Sequence, residues 1–158
     1  MALASACVTG AWPQQTGDPR DATTKRNETM SAMSDYLELK ILDHITGRTA
    51  YTKPSAVYLG LSTGDFTDTG SGSSEISGNG YTRVAVAFDA AASGATSNTS
   101  AIDFPSATGN QGTLSHWALF DASTGGNMLI HGAFSASKTI ETNDVLRIAA
   151  GDLDLTAA

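Results

Sequence analysis

Cysteine is nearly absent from this sequence: Cys7 stands alone. A single thiol closes no disulfide within the chain and builds no all-thiolate metal site. Charge is scarce as well. Charged residues make up 16% of the chain, against about 25% in an average soluble domain. What charge there is leans acidic, with 9 Lys and Arg against 16 Asp and Glu, a net −7. Affinity for a phosphate backbone comes from Lys and Arg releasing counterions, so no nucleic acid partner is expected. An anionic membrane surface is disfavoured for the same reason. No apolar run approaches the roughly 20 residues of a membrane span, so no membrane partner is expected either. The opening segment, Met1 to Val8, is mildly apolar but lacks the basic n-region of a secretory signal. Aromatics number only 11, and several fall at core-phase positions, so no aromatic-lined sugar cleft is visible.

Small residues are what the chain has in quantity. Gly contributes 16 of 158 residues, and Ser, Thr and Ala crowd the rest. At 41% hydrophobic the chain is too apolar for disorder, and its shortage of Lys, Glu and Leu argues against a helical bundle. Its length predicts one domain with a real core. The mix suits short strands joined by small-residue turns.

The charge is unevenly spread. Residues 1–33 carry three acids and three bases and sum to zero; residues 34–158 carry 13 acids and 6 bases and hold the whole −7. The first segment has two of the four prolines and no sustained period. It reads as an extended N-terminal arm or leader. Trp12, a large apolar side chain in polar surroundings, is a candidate protein-contact residue, joined by Arg20, Lys25 and Arg26.

The pattern then predicts one helix at about 35–46. Asp35 is the expected cap, with Glu38 three residues on. Leu37, Ile41 and Ile45, with Leu42 beside them, make one face apolar. Gly47 is a natural stop. Beyond it the period becomes two. Alternating segments run over Ser55–Leu61, Tyr81–Phe88, Ile102–Phe104, Leu114–Phe120, Met128–Phe134, Lys138–Ile140, Val145–Ala149 and Leu153–Leu155. Trp117 and Leu119 share a face, and Met128, Ile130 and Phe134 share another. The fold class expected over 34–158 is mainly β: a β-sandwich or jelly-roll-like body of about seven or eight short strands, with one N-terminal helix. Thr63–Gly80 and Ala90–Ala101 read as long loops, either binding surfaces or mobile crossings. Asp121–Asn127 reads as a hairpin loop.

Chemistry is hard to find. There is no Gly-x-Ser-x-Gly elbow, no His-Glu-x-x-His helix and no phosphate loop. His44 falls in the helix. His116 and His131 fall on strands expected to pair, where a bridging metal would still need a third ligand. Asp65 and Asp68 are loosely calcium-like but lack the carboxylate spacing of a calcium loop. Asp152 and Asp154 alternate with Leu153 and Leu155, the pattern of a solvated outer face. Accordingly, no catalytic residue, no metal and no cofactor is expected, and the chain is not expected to be an enzyme.

A series of segments carries a family resemblance. These are Tyr36-Leu-Glu38 with Asp43-His44, Ala56-Val-Tyr-Leu-Gly-Leu-Ser-Thr63, and Glu75-Ile-Ser-Gly-Asn-Gly-Tyr81-Thr-Arg83-Val-Ala-Val86. They continue with Phe104-Pro105, Gly112-Thr-Leu-Ser-His116-Trp117-Ala-Leu-Phe-Asp121-Ala-Ser-Thr-Gly-Gly-Asn127, His131-Gly132 and Ala150-Gly-Asp-Leu153. In this order they resemble the small virion proteins of tailed bacteriophages labelled tail-fibre, tail or head-decoration proteins. The resemblance covers residues 34–158 and implies a non-enzymatic virion component. The reading preferred at this point is a capsid decoration, or cement, protein on the outer head. Its expected partner is the major capsid protein, and its expected state a homotrimer. The alternative is a tail-fibre or baseplate appendage involved in host attachment.

Overall fold

The computed structural model describes residues 31–70 and 75–156. The candidate contact residues Trp12, Arg20, Lys25 and Arg26 lie outside the described residues. The chain runs β1 (Ser31–Met33), α1 (Asp35–Ile45), β2 (Val57–Ser62), β3 (Val84–Val86), β4 (Ala95–Ser97), β5 (Ile102–Asp103), β6 (Gly112–Phe120), β7 (Met128–Ile140), β8 (Arg147–Ile148) and β9 (Asp154–Thr156). All the pairings are antiparallel, so the mainly β class holds. One five-stranded sheet has the order β1-β7-β6-β2-β3, and two short ribbons pair β4 with β9 and β5 with β8.

Alternation sorts the sheet into two faces. Leu59 sits opposite Leu119 and Leu61 opposite Trp117 across β2 and β6. These four side chains, with Ile102, Phe104, Leu114, Ile140 and Leu153, form the main core. The ribbons cover this face: Ile148 of β8 and Leu155 of β9 pack against it. Each large side chain taken out of water there contributes about 1.5–3 kcal/mol. Buried Asn98 pins the covering layer. Its Nδ2 donates to the carbonyls of Ser100 and Ala149, and its Oδ1 accepts from the Leu153 N–H. The opposite face carries a smaller cluster of Phe66, Ala118, Phe120 and Met128.

Two register shifts between β6 and β7 shape the molecule. One lies at the hairpin end: Leu119 faces Ile130, but Phe120 faces Met128. The extra residue sends Met128 to the small cluster and Ile130 to the main core. Of the shared face expected for Met128, Ile130 and Phe134, the last two do pack together on the main core, and Met128 alone departs from it. Period-two reasoning assumes an unbroken ladder, and a bulge breaks it. In the other shift Leu114 faces Lys138 and His116 faces Ala133, so residues 134–137 lie opposite Ser115 alone.

The helix spans the expected residues, but its cap is Ser34, whose side chain accepts from the Leu37 N–H. Asp35 is the first helical residue instead. Ser34 is selected because its hydroxyl also donates to the Met128 carbonyl and its N–H to the Leu129 carbonyl, tying the cap to β7. Gly47 follows the helix at φ 73°, as a stop requires. The expected apolar face is buried only in part by the described residues. Leu37 is buried and Ile41 half-buried, while Ile45 is 69% exposed. These three residues lie on one stripe, so the helix leaves the body as it runs. Two strands arise from segments read otherwise. β1 comes from the end of the arm segment and pairs with β7 through Ala32 and His131. β4 lies in the Ala90–Ala101 stretch and is held by its partner β9. At three residues each, both are too short to show a period.

Candidate interaction surfaces

Arg83 organises the end of the sheet where β6 turns into β7. It lies just before β3, and its guanidinium sits 3.3 Å from the Phe120 ring centroid. Nε and Nη2 donate to the two oxygens of Glu75, each at 2.7 Å. Nη1 donates to the carbonyls of Ala122 (3.0 Å) and Gly125 (2.7 Å) in the hairpin loop. The Arg83 side chain is 9% exposed and that of Glu75 19%. A paired, forked geometry of this kind offsets the cost of taking both charges out of water. Tyr81 completes the group. Its hydroxyl donates to Glu75 Oε1 and accepts from the Leu61 N–H, each at 2.9 Å. Burial pushes the Tyr81 pKa far up, and the Glu75 carboxylate adds to the shift.

The loop itself is closed by Asp121. Its Oδ1 accepts from the Asn127 N–H and its Oδ2 from the Asn127 amide, both at 2.7 Å. Gly126 allows this closure: its φ is 73°, and a Cβ there would fall 2.4 Å from Asp121 Oδ1. The expected hairpin is therefore present, and it presents a rigid surface. Gly60, in the middle of β2, is the trace this clamp leaves in the sequence. A Cβ on it would stand 2.8 Å from the Phe120 ring and 3.0 Å from Glu75 Oε1. An isolated glycine inside an alternating strand marks such a close approach. Arg83 itself is given away by no local period, because its partners lie in other segments.

On the same sheet face, the loop after β2 is also fastened. Phe66 is completely buried, and the His131 ring stands between two carboxylates. Nε2 is 2.9 Å from Asp68 Oδ1 and Nδ1 is 3.5 Å from Asp65 Oδ1. His116 does share this face with His131, but its Nδ1 is engaged by Ser115 Oγ at 2.8 Å. Among the described residues no group of three or more His, Cys, Asp and Glu is arranged to hold a metal ion. His44 Nδ1 accepts from the Tyr51 N–H. Phe66 was the loop's one aromatic side chain available for stacking on a sugar, and it is inside the protein.

The opposite sheet face carries a cleft of about 240 Å³. Its floor is apolar, made by Leu114, Trp117, Phe134, Leu146, Ile148 and Leu153. It opens beside the β7 bulge, which contributes Ser135 and Ala136 to one wall. The rim carries Lys138 and Arg147 together with Asp152 and Asp154. Arg147 makes a 3.4 Å contact with exposed Asp103. Lys138, Asp152 and Asp154 have no ion-pair partner among the described residues. Leu153 and Leu155 turn inward as alternation requires, leaving both aspartates at the rim. No single segment encodes this cleft: strands from opposite ends of the last fifty or so residues meet there, and the bulge that opens it has no sequence signal.

A family model described as podophage GP4 fiber I protein gp80 matches residues 32–156. The chain belongs to this family. The match runs from Ala32 in β1 to the end of β9 and leaves the first 31 residues outside it. Membership in a fibre family makes the chain a bacteriophage virion structural protein. It fits the tail-fibre alternative better than the head-decoration reading preferred from sequence. A search of the curated proteins returned no match.

Proposed function

We propose that this chain is a non-enzymatic structural component of a phage tail fibre, serving host attachment as part of that appendage rather than cementing the head shell. The fibre-family match over residues 32–156 carries this reading. The surfaces support it. The Arg83 clamp fixes a hairpin loop that, in an unclamped protein, would cost ordering entropy on every contact. His131 and His116, the side chains best suited to general-base work, have ring nitrogens committed to neighbouring side chains. A net charge of −7 favours protein partners over nucleic acid or an anionic membrane. Those partners are other virion proteins and further copies of this chain, with three copies per assembly as the starting expectation.

The location is testable on particles. Antibody against this chain, conjugated to gold, is expected to decorate the tail, with a handful of copies per virion. Gold distributed over DNA-filled heads at hundreds of copies would overturn the fibre reading and restore head decoration.

A further inference from the structure

The stretch after the helix folds back along it and makes a hollow. Tyr36, Lys40 and Asp43 follow one another at steps of four and three residues, so they share one side of α1. The chain then turns at Gly47, and the Thr49 N–H donates to the Asp43 carbonyl at 3.1 Å. Next, the Tyr51 N–H donates to His44 Nδ1, also at 3.1 Å. These two bonds lay residues 49–52 against the helix. The hollow between them has a volume of about 220 Å³. Tyr36, Lys40 and Asp43 line it from the helix, and Thr49, Tyr51 and Thr52 from the returning chain. The two tyrosines, Lys40 and Asp43 are half-buried, and the threonines stand exposed at the rim. Burial pushes the Tyr51 pKa up, and nearby Tyr36 and Asp121 add to the shift. The hollow therefore lies beside the clamped hairpin, where Asn127 already holds both oxygens of Asp121.

The lining is selective in what it accepts. Two phenol rings offer flat apolar area, each with a polar tip. Lys40 only donates, the Asp43 carboxylate only accepts, and the tyrosine and threonine hydroxyls do both. The Lys40 ammonium stands 5.5 Å from the Tyr36 ring centroid. Among the described residues Lys40 has no ion-pair partner, and the hydroxyls of Tyr36, Thr49, Tyr51 and Thr52 make no hydrogen bond. Asp43 is engaged by Arg48 alone, at 3.7 Å, and the Arg48 side chain is 80% exposed. One positive and one negative charge in the lining favour neither a free anion nor a free cation. A ligand that is apolar on its faces and carries hydroxyls around its edge suits both the rings and the polar groups. That is the chemistry of a sugar ring. The hollow is smaller than the roughly 300–1,000 Å³ of pockets for drug-sized ligands, so it suits one ring, and its open rim leaves a way out for the rest of a chain.

We propose that this hollow binds one ring of a neutral sugar, with Tyr51 and Tyr36 against its C–H face and Lys40 and Asp43 hydrogen-bonded to its hydroxyls. The proposal deepens the fibre reading, on which it rests for the source of the sugar, a polysaccharide of the host surface. Neither local spacing nor composition reveals the site, because its two tyrosines meet only when the chain turns back at Gly47. A single ring in an open hollow binds weakly, with a Kd of about 1 mM. Several copies engaging one polysaccharide raise the overall affinity.

The experiment is saturation-transfer NMR on the full chain with the methyl glycosides of glucose, galactose, rhamnose and N-acetylglucosamine. Transfer to the ring C–H protons of at least one glycoside is expected. Tyr51→Ala is expected to weaken its binding about tenfold or more, and Lys40→Ala about threefold or more. Tyr51→Phe, which keeps the ring, retains most of the binding. Transfer to none of the four overturns the proposal. Binding that survives Tyr51→Ala unchanged puts the sugar elsewhere and overturns it, as does displacement of the glycoside by inorganic phosphate, which marks an anion site. Should Tyr51→Ala lose the wild-type amide spectrum away from the hollow, Lys40→Ala on the helix decides in its place. Gold on the tail with no sugar bound sinks this proposal alone. Sugar bound with gold on the heads sinks the fibre reading alone.

Discussion

The hairpin end and the helix sit on the same side of one sheet and solve opposite problems. At the hairpin end, Arg83 makes two bonds to Glu75 and two to loop carbonyls, and stacks on Phe120. Among the described residues, no buried side-chain polar atom there lacks a partner. At the helix, the Ser34 cap, the Asp35 N–H bond to the Asp68 carbonyl, buried Leu37 and half-buried Ile41 attach the element to the body, and Leu39, Leu42 and Ile45 are exposed. Among the described residues the first region is complete, and the second leaves Leu39, Leu42 and Ile45 exposed. Exposed apolar side chains arranged in a ridge mean more than the same number scattered singly.

The largest effect should come from breaking the complete region. Arg83→Ala leaves the Glu75 carboxylate nearly buried without its counter-charge and is expected to cost about 3–5 kcal/mol. In thermal unfolding, that is a fall on the order of 10 °C. Gly60→Ala attacks the same clamp from below. Its methyl meets the Phe120 ring and Glu75, which Arg83 holds in place, and a cost of about 1–3 kcal/mol in denaturant unfolding is expected.

Tyr81→Phe comes next. It leaves the Leu61 N–H without its acceptor and is expected to cost about 1–2 kcal/mol near neutral pH. Its pH dependence sharpens the comparison. Folding raises the Tyr81 pKa above its ordinary value of 10.0, chiefly by burial. The native state therefore binds this proton more tightly than the unfolded chain does. That contribution is complete below pH 10 and is lost as pH rises beyond it. Wild type is expected to lose stability above pH 10 more steeply than Tyr81→Phe, as measured by urea midpoints. The smallest effect should be at the helix. In dilute monomer, Leu42→Gln is expected to change stability by no more than about 0.5 kcal/mol, because that side chain touches little of its own chain.

Legibility in the sequence follows the same division. Where a long unbroken alternation exists, as in β2 and the Trp117–Leu119 part of β6, strand and face are both readable. The helix ends are readable too, although Ser34 rather than Asp35 takes the cap. Its hydroxyl has a second partner 94 residues away, which no local rule sees. The face of Met128 is lost to a bulge, and β1 and β4 are too short to carry a period. The surfaces are less legible than the fold. Arg83, held by Glu75, meets the hairpin loop across some forty residues, with Gly60 as a local trace. An apolar helix stripe announces that something covers it, and the natural assumption is that the chain itself does so. Among the described residues the body covers Leu37 and part of Ile41, and Ile45 on the same stripe is exposed.

Amide hydrogen exchange of the full chain in dilute solution measures both regions at once. Amides of α1 over residues 39–45 should exchange rapidly, while those of 118–121 in the clamped hairpin stay protected. Helix amides as strongly protected as those of the hairpin would contradict the account.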